Sequence, residues 1–178
     1  PTNEWYAIAK ISGVKLIESL RKKHNRDYIS LMPTNLYGSN DNFDFNSSHV
    51  IPGMIAKFHQ AKIKNSNYIT LWGDGTPLRE FLHVDDLANA ILFSIENSFS
   101  DSLFNVGSGE EIAIKNLAQI VKKIVGFNGG VNWDKSMPNG TPRKLLDSTK
   151  FKNLGWKQKI SLENGIDFTY KWYVDNLS

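Results

Sequence analysis

Helical and strand-like segments alternate along this sequence, and this alternation limits the possible folds more than any other feature. The strand-like segments are short apolar runs bounded by turn residues: 28–32, 68–72, 81–84 and 102–109. The helical segments are 3–25, 50–64, 86–97, 115–127, 148–154 and 161–176, and in 115–127 apolar residues repeat about every 3.6 positions. Basic residues in the last turn of the first segment favour a helix end there. Asp85 is expected to cap the helix that follows it. Strands that alternate with helices predict an α/β fold with parallel pairing.

The composition narrows the classes of function. The 178 residues carry 21 basic and 18 acidic side chains, for a net charge of +3, and the basic residues are spread along the chain. This excess is too small to predict a nucleic-acid or membrane partner, although it suits a small anionic ligand. The absence of cysteine excludes a disulfide framework and a thiolate metal site, and we predict no metal. No apolar run approaches the ~20 residues of a membrane span and no signal-peptide pattern is present, so a cytoplasmic protein is expected.

The first predicted helix carries Tyr6 and Lys10 at positions i and i+4, which lie on the same face. A free tyrosine titrates near pH ~10 and is a poor acid–base group at neutral pH, but a neighbouring ammonium favours the phenolate. The pair therefore suits proton transfer. The alternative is a core tyrosine beside a surface lysine, and the spacing alone leaves both open.

Later segments also allow two interpretations. The segment PTNLYG (33–38) is either a ligand-binding loop at the carboxyl end of a strand or an ordinary turn. Arg79 suits a phosphate and Trp72 suits a ring. Alternatively, Trp72 is a core residue and Arg79 pairs with Glu80 or a nearby acidic residue. The segment GTPRKLLD (140–147) is either part of a site or a solvated charged turn.

Six segments in order carry a family resemblance: YxxxK, PTNLYG, SHVIP, WGDGTPLREFLHVDDLA, NVGSG and GTPRKLLD. This series covers nearly the whole chain and resembles the extended short-chain dehydrogenase/reductases that act on nucleotide sugars. UDP-galactose epimerases and GDP-mannose dehydratases of this family share YxxxK and the REF–HVDD type of segment. The combination of SHVIP with GTPRKLLD is similar to the group that epimerises C3 and C5 of GDP-4-keto-6-deoxy-D-mannose and reduces C4 with NADPH.

The resemblance implies roles for individual residues. Tyr6 would protonate the C4 ketone oxygen, and Lys10 would favour loss of the Tyr6 proton and bind the nicotinamide ribose. His49 would be the acid/base residue of both epimerisations. The sequence by itself, without the family resemblance, favours a helix cap or a surface residue at this position. The residues that would bind NADP(H) are Lys10, Pro33, Thr34, Asn35, Leu36 and His49. The residues that would bind the GDP-sugar are Lys57, Trp72, Arg79 and Asp147.

One family feature is missing from the sequence. The family binds NADPH through a glycine-rich turn after its first strand, and no such motif follows a strand here. We therefore expect the carboxy-terminal part of an enzyme, inactive alone. Residues 1–40 would belong to a Rossmann-type, doubly wound NADP-binding domain, and 41–178 mainly to a smaller α/β substrate-binding domain, with 80–108 returning in part to the first. The complete enzyme would be a homodimer. The alternatives are another sugar-nucleotide epimerase or dehydratase, and a non-catalytic sugar-nucleotide-binding fragment.

Overall fold

The computed structural model describes residues 3–177 and alternates helices with strands. The helices of this part are α1 (Glu4–His24), α2 (Val50–Ile63), α3 (Val84–Glu96), α4 (Ile114–Val125), α5 (Thr149–Asn153) and α6 (Leu162–Leu177). Its strands are β1 (Ser30–Pro33), β2 (Asn35–Tyr37), β3 (Tyr68–Trp72), β4 (Leu78–His83), β5 (Leu103–Val106), β6 (Glu111–Ala113), β7 (Gly130–Asp134) and β8 (Arg143–Lys144).

Most strand pairs are parallel. Strand β1 pairs with β5, β2 with β4, and β3 with β7, all in parallel, because helices or long connections separate the partners in sequence. Strand β4 lies at the centre of a mixed sheet: its second half pairs with β2, and its first half pairs with antiparallel β6 and parallel β8. The prediction of an α/β fold with parallel pairing is confirmed.

The helices agree with their predicted ranges to within a few residues, but several strands and one cap differ. The segment 33–38, which was expected to be a loop or a turn, contains β2, and β6, β7 and β8 were not predicted. The prediction that Asp85 caps α3 is wrong, because the N-cap residue is His83. The His83 Nδ1 accepts a hydrogen bond from the Asp85 N–H at 3.2 Å, and Asp85 lies in the first helical turn.

Two hydrophobic clusters hold these elements together. The larger one packs α2, α4 and α6 with β3 and β7 through buried residues that include Ile55, Phe58, Leu117, Val121 and Ile166. The smaller one packs α3 and α5 against β1 and β5, and its centre is a group of rings: Phe93, Phe99, Phe104, Phe151 and Trp156. Truncating a fully buried ring such as Phe151 to alanine costs about 3–5 kcal/mol, because it leaves a cavity.

Helix α1 differs from the other helices. None of its residues is buried, and its apolar side chains Trp5, Ile8, Ile11 and Leu16 are exposed. Near its end, Arg21 pairs with Asp27 and donates a hydrogen bond to the Phe99 carbonyl. The helix is thus tied to the rest of the chain at its carboxyl end, while its apolar face lies open.

Within residues 3–177, no helix combines the length and the apolar character needed to cross a bilayer.

Candidate functional site

The Tyr6–Lys10 pair lies on the exposed part of α1. Because one helical turn separates the residues, Lys10 Nζ reaches to 5.3 Å from the centre of the Tyr6 ring. The Tyr6 side chain is 68% exposed, so it is not a core aromatic residue in this structure. The two side chains contact each other on one face of the helix, and both are open to a ligand.

The segment 33–36 connects two sheets at the carboxyl end of β1. Pro33 ends β1 opposite Val106, the last residue of the parallel strand β5. Thr34 is buried, its N–H donates to the Val106 carbonyl at 3.0 Å, and Asn35 then begins β2. Leu36 pairs with Leu82 of β4. The carboxyl ends of parallel strands are where ligands bind in α/β sheets, so this position suits a cofactor loop.

His49 occupies the N-cap position of α2. Its backbone is extended, its carbonyl accepts the Gly53 N–H at 3.0 Å, and its side chain makes no capping hydrogen bond. The imidazole is exposed. The fold therefore uses the backbone of His49 to start the helix and leaves the ring available for chemistry.

Lys57 and Trp72 contact each other, and Lys57 follows His49 along α2. Lys57 is on α2, eight residues past His49, or about 12 Å along the helix axis. Its ammonium lies 5.6 Å from the centre of the Trp72 ring, a cation–π contact. Trp72 ends β3 and is 61% exposed, so the core interpretation of this tryptophan is not supported. The exposed ring at a strand end suits stacking with a planar group.

Arg79 lies on β4 and is half-buried. Its Nη1 donates to the Leu78 carbonyl at 2.8 Å, and no ion pair joins it to Glu80. The neighbouring loop contacts both Arg79 and the turn after Trp72: Gly140 lies beside the guanidinium, and Asn139 Oδ1 accepts the Asp74 N–H at 2.8 Å. The loop that contains Asn139 and Gly140 therefore contacts both Arg79 and the turn that follows Trp72.

Asp147 lines a cavity of about 560 Å³ together with Gly109, Arg143, Ser148 and Lys152. Hydrogen bonds from Thr149 hold the pKa of the Asp147 carboxyl below its usual value, and one of them, from the Thr149 N–H, measures 3.0 Å. Two cations border the cavity, but each also has a protein partner: Arg143 forms a two-point pair with Glu111 at 2.7 and 3.1 Å, and Lys152 donates to the Ser108 carbonyl. The cavity combines positive charge with one fixed carboxylate, which suits a polar anionic ligand.

The predicted site residues fall into local groups. Within residues 3–177, no hydrogen bond or ring contact joins Tyr6 and Lys10 to the other candidates. Thr34 and Asn35 are joined to β4 and β8, since both side chains donate to the Glu80 carbonyl and Asn35 accepts from Lys144 Nζ. The part of the chain that the structure describes contains no cluster of His, Cys, Asp and Glu suited to a metal ion.

Residues 1–107 match the model of the NAD dependent epimerase/dehydratase family. The chain belongs to this family.

Within this NAD dependent epimerase/dehydratase family, two curated relatives illustrate the similarity. The chain is 54% identical over 99% of its length to a probable GDP-L-fucose synthase 1 of Oryza sativa subsp. japonica. It is 50% identical, again over 99% of its length, to a GDP-L-fucose synthase of Escherichia coli (strain K12). These alignments cover 54% and 58% of the two relatives, so the chain spans about half the length of the curated relatives it matches.

A solved structure shows the same fold in a family relative. The crystal structure of a GDP-L-fucose synthetase from Naegleria fowleri bound to NADP superposes with a TM-score of 0.90 at 30% identity. The superposition covers 98% of this chain and 56% of that chain. The Rossmann-like α/β fold class is therefore confirmed for the half that this chain spans.

Sequence reasoning missed several residues around the site. Glu80 lies in the segment WGDGTPLREFLHVDDLA and is fully buried. Lys144 lies in the segment GTPRKLLD and contacts Asn35. Neither was predicted to take part in the site. Asp86 is also buried, and its carboxylate accepts the N–H groups of Lys159 and Ile160 at 2.9 and 3.0 Å. The signal available in the sequence was the acidic residue Glu80 directly before the strand-like run 81–84, because charged side chains are seldom fully buried without partners.

Proposed function

We propose that this chain forms about half of a GDP-L-fucose synthase, an enzyme that converts GDP-4-keto-6-deoxy-D-mannose to GDP-L-fucose by C3/C5 epimerisation and NADPH-dependent C4 reduction. The observation that carries the proposal is the identity of 50–54% over 99% of the chain to synthases from a bacterium and a plant. The exposed Tyr6–Lys10 pair also supports the proposal, because this pair is suited to proton transfer.

The residues of this chain fit the nicotinamide end of NADP(H). Lys10 offers an ammonium donor on an open helix face, and Pro33–Leu36 lie where parallel β1 and β5 both end. His49 is exposed and completes the proposed set. The NADP-bound Naegleria fowleri relative supports NADP as the dinucleotide. When bound, NADPH would supply the hydride that reduces C4. The remaining length of the relatives would supply the dinucleotide phosphate site.

In the reduction, Tyr6 donates the proton. Its hydroxyl gives a proton to the C4 oxygen as that carbon is reduced, which leaves a phenolate on the enzyme. Lys10, whose ammonium lies 5.3 Å from the ring centre, stabilises that negative charge. Because both side chains are exposed on one face of α1, a sugar can approach them without displacing core residues.

In the epimerisations, His49 moves the protons. C3 and C5 both adjoin the C4 ketone, so their hydrogens are acidified by the carbonyl. A neutral imidazole can remove such a proton, or a protonated one can deliver it, while a second group on the opposite face of the sugar completes the inversion. The exposed ring of His49, which makes no capping hydrogen bond, is free to take either role, and the second group would come from the part of the relatives that this chain does not span.

The GDP moiety is held by the second group of residues. Lys57 and Arg79 supply positive charge for the pyrophosphate, and Trp72 offers an exposed face for a ring. Asp147 adds a carboxylate that can accept hydrogen bonds from hydroxyl or amino groups. In domain terms, residues 1–40 belong to the NADP-binding domain and 41–178 mainly to the substrate domain. The β1–β5 pairing supports the partial return of 80–108 to the first domain.

The test is a chimera in which this chain replaces the matching region of the Escherichia coli synthase. The chimera should consume NADPH with GDP-4-keto-6-deoxy-D-mannose and form GDP-L-fucose, whereas the 178-residue chain alone should consume none. A different epimer or a dehydrated sugar as the main product would favour another sugar-nucleotide enzyme. A folded chimera that binds GDP without turnover would favour the non-catalytic interpretation.

We also propose that the complete enzyme is a cytoplasmic homodimer. The exposed apolar residues of α1, among them Trp5, Ile8 and Ile11, support a helix that is covered in the complete protein. Light scattering of the chimera at micromolar concentration should give the mass of two chains, and a monomer would refute the dimer.

A further inference from the structure

Glu80 is an acidic residue with no exposed surface in the middle of β4. Its Oε1 accepts the Gly109 N–H at 2.7 Å and lies 3.4 Å from the Ser108 hydroxyl, and its Oε2 accepts the Leu146 N–H at 3.0 Å. Within residues 3–177 it forms no ion pair with a lysine, arginine or histidine. The buried carboxyl group is thus satisfied by loop amides, and these amides come from two different loops.

The backbone of the same residue holds a third loop. The Glu80 carbonyl accepts hydrogen bonds from the Thr34 hydroxyl at 3.3 Å and from Asn35 Nδ2 at 2.7 Å. Asn35 in turn accepts one from Lys144 Nζ at 3.2 Å. One residue therefore connects the cofactor loop, the glycine turn after β5 and the segment that leads into Asp147.

The fold leaves space for this carboxyl group at one glycine. A Cβ atom placed on Gly107 would lie 2.2 Å from Glu80 Oε1, closer than any real contact. The backbone conformation of Gly107 does not itself require glycine, because its φ is outside the left-handed region. Glycine at this position is thus explained by the approach of the Glu80 carboxyl group.

We propose that Glu80 is a positioning residue of the GDP-sugar site, which sets Asp147 against Arg79 by fixing the Leu146 amide. This inference rests on the proposed function. Its geometric basis is direct: Arg79 precedes Glu80 on β4, and Leu146, which Glu80 binds, precedes Asp147. A change in the carboxyl group would therefore shift two proposed substrate contacts relative to each other, although Glu80 itself touches no substrate.

The test is calorimetric titration of the 178-residue chain with GDP, for the wild type and two variants. Glu80→Gln keeps the shape but turns one acceptor into a donor, so either the Gly109 or the Leu146 N–H faces an NH₂ group. Gly107→Ala keeps the carboxyl group but displaces it. Each variant should raise the dissociation constant for GDP about tenfold, the factor for one lost hydrogen bond.

Two matched controls separate positioning from general stability. Glu96→Gln removes an exposed carboxyl group at the end of α3, and Gly130→Ala adds a Cβ whose nearest neighbour lies at an ordinary 3.7 Å. Both should bind GDP like the wild type. If Glu80→Gln does not fold, Gly107→Ala still decides, because it retains every hydrogen-bonding group. If the site variants have lower unfolding midpoints but unchanged GDP affinity, the positioning role of Glu80 is refuted and the proposed function stands. If the wild-type chain does not bind GDP, both the positioning role and the proposed function are refuted.

Discussion

Replacing Tyr6 with phenylalanine separates the catalytic role of this residue from any structural role. The ring is 68% exposed, so removal of its hydroxyl should change the free energy of unfolding by less than about 0.5 kcal/mol. The contact between the ring and Lys10 remains. Loss of a general acid lowers turnover by a factor of ~10² or more, equivalent to about 2.7 kcal/mol in the barrier. The predicted effect on catalysis is thus several times the effect on stability.

The assay follows NADPH absorbance in the Escherichia coli chimera, and urea unfolding is measured on the same samples. Tyr68→Phe is the matched control, because Tyr68 is 59% exposed and lies on β3, outside the proposed site. It should leave both turnover and stability unchanged. Wild-type turnover in the Tyr6→Phe chimera would refute the assignment of the proton donor.

Three further predictions concern His49, Trp72 and the buried histidines His59 and His83. His49→Gln should slow the exchange of the C3 and C5 hydrogens with deuterated water, measured by mass spectrometry, and leave some direct reduction of the unepimerised sugar; exchange at the normal rate would remove His49 from this role. Trp72→Ala should weaken GDP binding by roughly tenfold, since stacking of a base on a ring contributes about 1–3 kcal/mol, whereas Trp72→Phe should retain most of the affinity; equal affinity in all three proteins would argue against stacking. Burial lowers the pKa of His59 and His83 below the ordinary histidine value of 6.5, so the folded chain favours their neutral forms. Their contribution to stability is complete above pH 6.5 and is lost as the pH falls below it. His59→Gln should therefore reduce the acid dependence of the urea midpoint, and an unchanged dependence would contradict this.

The helices of this fold were predictable because their sequence signals are local. Apolar periodicity located α4, and the basic last turn of α1 indicated where that helix ends. The strands β2 and β7 were not predictable in this way. Strand β2 has three residues and β7 begins with a glycine, and both form only because they pair with strands that lie far away in sequence. Short strands depend on such tertiary pairing.

The candidate site shows the same division. Tyr6 and Lys10 are separated by one helical turn, so their proximity follows from the sequence. The partners of the buried Glu80 do not, because its donors are backbone amides of Gly109 and Leu146, and amides carry no side-chain signal. His83 is a local case: it caps α3 in place of the expected Asp85 by accepting the N–H of the residue two positions later. Residues that bind backbone groups of distant loops are recognised only once the fold is known.

The most direct measurement uses the chimera with NADPH that carries deuterium at the transferable position of its nicotinamide ring. The account predicts that GDP-L-fucose forms with one deuterium at C4, and that Tyr6→Phe slows the formation of this labelled product by a factor of ~10² or more. GDP-L-fucose without deuterium at C4, or no product from a folded chimera whose Escherichia coli parent is active, would contradict the claim that this chain carries the reductive site of a GDP-L-fucose synthase.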